Sequence, residues 1–132
     1  MSIQTALVAA KTANATLQAL IGTRFHPDVL PQGVTLPAVC FQVISRPNSN
    51  AFTPVIVDYH PRVQMDGYAA TSALRTTLRS ALVGCFYGYV NASIGGENIK
   101  SILIDNERES VEMLGTSTEA FRISIDFRVH LA

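Results

Sequence analysis

The sequence predicts an α+β fold: a single antiparallel or mixed β-sheet of about four strands with two helices packed on one face. Three observations point to it. From Phe121 to His130 apolar and polar residues alternate without exception, Phe121, Ile123, Ile125, Phe127 and Val129 against Arg122, Ser124, Asp126, Arg128 and His130. Successive strand side chains point to opposite sheet faces, so one face packs on a core and the other is wet or meets polar groups. Two segments with helical apolar spacing are interleaved with strand-like runs. Finally, 132 residues with 48% apolar and 15% charged side chains are enough for one domain, 1–132, whose core needs no disulfide or metal staple.

Ser2 can cap a first helix in which Ile3, Leu7, Ala10, Leu17 and Ile21 recur at helical intervals, with Gly22 placed to end it. Asn14 interrupts that stripe. Pro27, Pro31, Gly33 and Pro37 keep Arg24 to Pro37 irregular, because proline lacks an amide and biases its predecessor to extended conformations. Phe25, Val29, Leu30 and Leu36 are the expected apolar anchors of this loop. Ala38 to Ser45 then reads as a mostly apolar strand. A second runs from Arg62 to Tyr68, where Val63, Met65 and Gly67 alternate with Arg62, Gln64, Asp66 and Tyr68. The two are expected to form a hairpin. Its connection, Arg46 to Pro61, is too long for a tight turn, and Val55, Ile56 and Val57 can extend the strand, leaving Pro47 to Pro54 as the loop.

Thr71 or Ser72 can cap a second helix with Leu74, Leu78 and Leu82 on one face and Arg75 and Arg79 on the other, ending near Gly84. Phe86, Tyr87 and Tyr89 follow, then a Gly95-Gly96 turn and an apolar strand, Ile99 to Asp105, expected to pair with Phe121 to His130. The connection Asn106 to Glu119 is acidic, carries Gly115 before Thr116, Ser117 and Thr118, and reads as a mobile loop.

Zero net charge gives the whole molecule no broad field for a nucleic acid or an anionic membrane. The charge is uneven, however. Glu97, Asp105, Glu107, Glu109, Glu112 and Glu119 face only Lys100 and Arg108, a local balance of minus four, and the remainder of the chain is plus four and mostly arginine. Arginine favours forked pairing to carboxylates, so head-to-tail self-association is one use of the two patches and a solvated acidic loop is the other reading. Cys40 and Cys85 have neither CxxC spacing nor a nearby histidine set and read as reduced and structural. No segment resembles a signal peptide or reaches the roughly 18 apolar residues of a membrane span, which places the protein in a cytosol.

Catalytic chemistry finds little support. Cys40, His60 and Asp66 are the tempting nucleophilic trio, but no motif joins them. His26, His60 and His130 show neither HxH nor HExxH spacing, and Gly95-Gly96-Glu97 lacks the Walker pattern, so neither a metal nor a cofactor is expected. Phe86, Tyr87 and Tyr89 have no basic residue between their rings, as single-strand binders require, and read as core or a subunit contact. Asp66 and Asp126 can pair with Arg62, Arg122 or Arg128, within the sheet or across a subunit boundary.

Several landmarks then occur in a telling order. They are Leu20-Ile21-Gly22-Thr23-Arg24-Phe25, the Pro31-Gln32-Gly33 loop, Leu36-Pro37 leading to Phe41-Gln42, and Arg62-Val63-Gln64-Met65-Asp66 with the helix after Tyr68-Ala69. Ile99-Lys100-Ser101-Ile102, Glu107-Arg108-Glu109 and Phe121-Arg122-Ile123-Ser124-Ile125-Asp126-Phe127 complete them. In this layout the chain resembles the tail-completion, or tail terminator (tail-to-head joining), proteins of long-tailed bacteriophages over nearly its whole length. Gly84 to Ile94 departs from the pattern, being longer and more aromatic.

The resemblance implies a non-enzymatic structural virion protein without cofactor. It would form a ring, a hexamer, on the head-proximal end of the tail tube, stop tube growth and present a docking face to the head connector. Its implied partners are further copies of itself, the tail-tube protein and a head-connector or neck protein, with DNA only passing through the lumen and no membrane contact. Its implied location is the head-tail junction of the virion, reached from the host cytoplasm. A heterologous ring needs two different complementary patches. Glu107, Arg108, Glu109 and Glu112 of the acidic region are candidates for one, and Arg62, Asp66, Arg122, Asp126 and Arg128 on the strand faces for the other. Asn48, Asn50 and Phe52 of the long hairpin are candidates for contact with tube or connector. The rival readings are a connector-side neck or head-completion protein, a small Cys40-dependent enzyme and a monomeric ligand-binding domain.

Overall fold

The computed structural model describes residues 3–29, 35–45, 48–50, 56–59, 61–94, 97–114 and 118–131. The first helical stripe is divided into α1 (Ile3–Ala13) and α2 (Ala15–Ile21). Asn14 divides it because its side chain competes with the helical backbone: it leaves the helical conformation and its oxygen accepts from the Leu17 amide at 3.0 Å, capping α2. Gly22 ends α2 at φ 53°, a left-handed conformation that favours glycine. Both helices bury the expected stripe, Ile3, Leu7, Ala10, Leu17 and Ile21. Ser2, the expected cap, lies outside the described residues.

The proline-rich segment contains an unexpected strand. β1 (Phe25–Pro27) runs parallel to β2 (Ala38–Ser45), pairing Phe25 with Val39 and Pro27 with Phe41. Phe25 is its anchor, buried against Phe41 with ring centroids 4.4 Å apart. Val29 is no anchor, being 72% exposed one residue past the left-handed Asp28, and Leu30 lies outside the described residues. β2 pairs antiparallel with β5 (Arg62–Ala69), as the hairpin reading expects. Between them β3 (Asn48–Asn50) pairs with β4 (Ile56–Tyr59), so Ile56 and Val57 are strand residues but in a separate ladder that lies beside the end of β8 and does not continue the β2–β5 pair; Val55 and the loop tip are outside the described residues.

Next come α3 (Ser72–Phe86), β6 (Asn91–Ile94), β7 (Glu97–Leu114) and β8 (Thr118–Leu131). Thr71 caps α3, accepting from the Leu74 amide at 3.2 Å. Among the described residues these strands form one mixed sheet in which β1, β2, β5 and β8 are successive neighbours, β7 flanks β8 and β6 flanks β7. β4 touches the end of β8 at Tyr59 and Leu131. The four long strands β2, β5, β8 and β7 are the expected ones, and the fold class is the expected α+β.

Of the connection read as a loop, Asn106 to Glu119, residues 106–114 and 118–119 are strand. β7 stays paired to β8 as far as Leu114 and Thr118. Gly115, Thr116 and Ser117, like the Gly95-Gly96 turn, lie outside the described residues. The helices cover one face only, where Val39, Phe41, Val63, Met65, Ile123, Ile125, Phe127 and Val129 meet Leu7, Leu17, Leu78, Leu82 and Phe86. Gly67 permits close approach of α3, since a Cβ there would lie 2.8 Å from Leu78 Cδ2 and 3.1 Å from Ile123 Cγ2. Of the aromatic trio, Phe86 is fully buried, Tyr89 packs on the core and Tyr87 is 55% exposed.

Candidate protein interface

Strand alternation carries every second residue of β5, β7 and β8 to the face without helices. There the register sets Asp66 beside Ser124 and Ser124 beside Arg108, with Gln64, Asp126 and Asn106 one row away. Asp66, Ser124 and Asp126 are each at least nine-tenths buried although no helix covers them. Polar groups so buried require partners. Arg122 supplies one, bridging Asp66 at 3.0 Å and Glu112 at 2.5 Å. Burial works to lower the Arg122 pKa, but its hydrogen bonds to Asp66 and Glu112 prevail and hold it above the ordinary value.

Gln64 Nε2 donates to Asp66 Oδ1 and Ser124 Oγ, each at 3.1 Å. Arg108 reaches Asp126 at 3.5 Å and donates to Ser124 Oγ at 3.3 Å. At the next row Arg62 and Arg128 share Asp105, at 3.1 and 3.2 Å. The result is an ordered face in which arginine and carboxylate alternate across strands.

Glu107 and Glu109 of β7 point the other way, toward α3. Arg79 grips Glu107 with two hydrogen bonds, at 2.6 and 3.1 Å. Arg75 pairs with Glu109 at 3.1 Å, donates to the Ser110 carbonyl at 3.1 Å and lies over the Phe121 ring at 5.4 Å. Of the residues singled out in the sequence, Arg62, Asp66, Arg108, Glu112, Arg122, Asp126 and Arg128 therefore converge on the helix-free face, while Glu107 and Glu109 sit opposite. Asn48 and Asn50 lie in β3, and Phe52 lies outside the described residues.

Asp105, Gln64 and Ser124 complete the network and were not among the candidates. Gln64 and Ser124 were visible in the alternation, but Asp105 was not, because it is the extra residue of a bulge between Ile104 and Asn106. Lys11 was missed too. It is 4% exposed in the helical layer, where its Nζ donates to the Gly22 carbonyl at 2.8 Å and to Gln18 Oε1 at 3.0 Å, tying α1 to the end of α2.

The nucleophilic trio does not gain support. Cys40 faces Asp66 across β2 and β5, and burial, then the Asp66 charge, pushes its thiol pKa up, which keeps it protonated and unreactive. His60 lies outside the described residues. Among the described residues no three His, Cys, Asp or Glu side chains are grouped to hold a metal, and no helix is long and apolar enough to cross a membrane.

No protein-family model and no curated protein matches the chain. Among solved structures it is similar to a chain from the virion of a native gene transfer agent (GTA) particle. That similarity has a TM-score of 0.74 at 17% sequence identity, and covers 98% of this chain and 94% of that chain. At this identity the likeness shows a shared α+β fold, end to end.

Proposed function

We propose that the chain is a structural virion protein, and within that class a tail terminator: a ring that caps the head-proximal end of a tail tube and joins it to the head connector. The observation that carries the virion reading is the near-complete superposition, in both directions, on a virion chain. The tail-terminator role rests on the ordered landmarks from Leu20 to Phe127. The helix-free face is compatible with it. Its four arginines, Arg62, Arg108, Arg122 and Arg128, are matched by Asp66, Asp105, Glu112 and Asp126, which would let DNA pass without counter-ion-driven adhesion. Asn48, Asn50 and Phe52 of the β3–β4 hairpin are proposed to reach tube or connector.

The test is light scattering of the purified protein across concentration, alone and with the matching tail-tube protein, followed by electron micrographs. Rings, free or on tube ends, are expected. A monomer that neither binds nor caps tubes overturns the reading. Deleting the gene separates the role from that of a neck protein: filled heads beside overlong tails are expected, whereas leaking heads would assign it to the connector side.

A further inference from the structure

The sheet has two unlike edges, and the geometry points to their pairing between successive copies of this chain, so that the ring proposed above, on which this inference rests, is closed by continuous β-sheet. One edge is β7. Its inner side pairs with β8 along its length, but its outer side meets β6 only at Ile99 and Glu97, and no described strand lies beyond 100–114. The Ile102 carbonyl accepts from the Gly88 amide at 2.8 Å, which marks Ile102 as outward-facing. The Val129 amide donates to Pro61, so the odd residues of β8 turn toward β5 and the even ones toward β7. The bulge at Asp105 shifts the alternation by one, so Ile104, Glu107, Glu109 and Val111, opposite Phe127, Ile125, Ile123 and Phe121, direct amide and carbonyl outward, while Asn106, Arg108 and Ser110 face β8.

A long open edge is ordinarily blunted by charge. Here the charges are drawn onto the sheet faces. Asp105 is held by Arg62 and Arg128, Glu107 by Arg79, Arg108 by Asp126 and Glu109 by Arg75. From Ile104 to Glu112 each charged side chain therefore has an opposite partner within the chain, Glu112 taking Arg122, which lowers the repulsion a second strand would meet there.

The other edge is β2. β1 covers it only as far as Phe41, whose carbonyl accepts from the Asp28 amide at 2.8 Å, and the same alternation then turns Val43 outward. No charged residue occurs from Ala38 to Ser45, and Ile44 is 42% exposed. An uncharged, apolar edge is the kind that associates. Direction also fits. β2, β5, β8 and β7 are antiparallel in turn, so β7 runs opposite to β2, and a copy related by rotation about an axis along the strands brings its β2 antiparallel to β7. Two different edges make a heterologous contact, which closes into a ring when the rotation allows.

The test uses Val111, which is exposed, uncharged and directed outward on the open edge. Proline is tolerated where a strand's amide faces away from its ladder, so Val111→Pro removes one outward donor while sparing the β7–β8 pairing, and Val111→Ala keeps that donor. In light scattering, Val111→Pro is expected to raise the concentration needed for assembly by about tenfold or more, with Val111→Ala close to the parent chain. Should Val111→Pro misfold, amide hydrogen exchange of the parent protein decides. Slowing at Val43, Ile104, Glu107 and Glu109 on assembly supports edge pairing. Rings that form normally with Val111→Pro, or assembled rings whose edge amides exchange as fast as in the free chain, overturn edge pairing and leave the terminator reading standing. Absence of any assembly by the parent chain, alone or on tubes, overturns both.

Discussion

On β8, Ile123, Ile125, Phe127 and Val129 are buried beneath the helices, while the intervening Arg122, Ser124, Asp126 and Arg128 face the helix-free side. The first set is held by contact with many neighbours, which is non-directional and sensitive to volume. The second is held by named partners at short range, and because desolvation offsets much of an ion pair's attraction, it adds little net stability however ordered it is. The comparison teaches that the two faces have separable duties. Folding free energy resides mainly under the helices, and the helix-free face is free to be specialised for what the molecule meets.

The sharpest way to break this comparison is to cut equally into both faces. Phe127→Ala removes a fully buried ring packed against Phe86 at 5.8 Å and is expected to cost about 3–5 kcal/mol. Urea denaturation would show it as a lower midpoint with unchanged slope. Asp66→Ala removes the Arg122 ion pair and a Gln64 hydrogen bond but leaves Arg122 its second partner, Glu112, so about 2 kcal/mol is expected. An Asp66→Ala loss equal to that of Phe127→Ala would overturn the division of duties.

Alkaline pH tests both faces, because burial raises the pKa of Cys85 beneath the helices and also those of Cys40 and Tyr68 on the helix-free side. Burial pushes the Cys85 thiol from 9.0 up to about 12. The unfolded chain therefore releases this proton while the folded chain retains it, so stability present below pH 9 is lost progressively as pH rises toward about 12. Lys11 acts in the opposite sense. Burial lowers its pKa from 10.5, so the unfolded chain binds the extra proton and stability rises with pH in the window below that value. Cys85→Ala is expected to flatten the decline between pH 9 and 12 in thermal melts, and an unchanged slope would place the alkaline sensitivity elsewhere.

The same contrast explains what could be read in the sequence. Alternation and helical spacing depend on water versus core alone, so Phe121 to His130, Arg62 to Tyr68 and the stripe from Ile3 to Ile21 were all legible. Pairing between distant charges leaves no periodic trace. Glu107 and Glu109 looked like loop residues because Arg79 and Arg75, which let them stay in a strand, lie about 30 positions earlier on a helix. β1 escaped notice because a three-residue strand ending in proline is too short for any period to register. Lys11, with its charge turned inward to the Gly22 carbonyl, looked like any exposed helical lysine.

The smallest expected effect bears on the acidic residues as an interface. The Arg79–Glu107 and Arg75–Glu109 pairs are partly exposed, Glu109 by 52% of its side chain, and such pairs contribute about 0–1 kcal/mol each. Replacing both acids, Glu107→Lys with Glu109→Lys, sets like charges beside Arg79 and Arg75 and should lower the melting temperature only slightly, less so in high salt. Stability and assembly then report on different partners. If these carboxylates also meet a neighbouring copy, ring formation should weaken markedly at low salt while the fold survives. If scattering is unchanged in both low and high salt, their partners are the two arginines of α3 alone. The contact between copies would then have to come from the backbone edge or the hairpin.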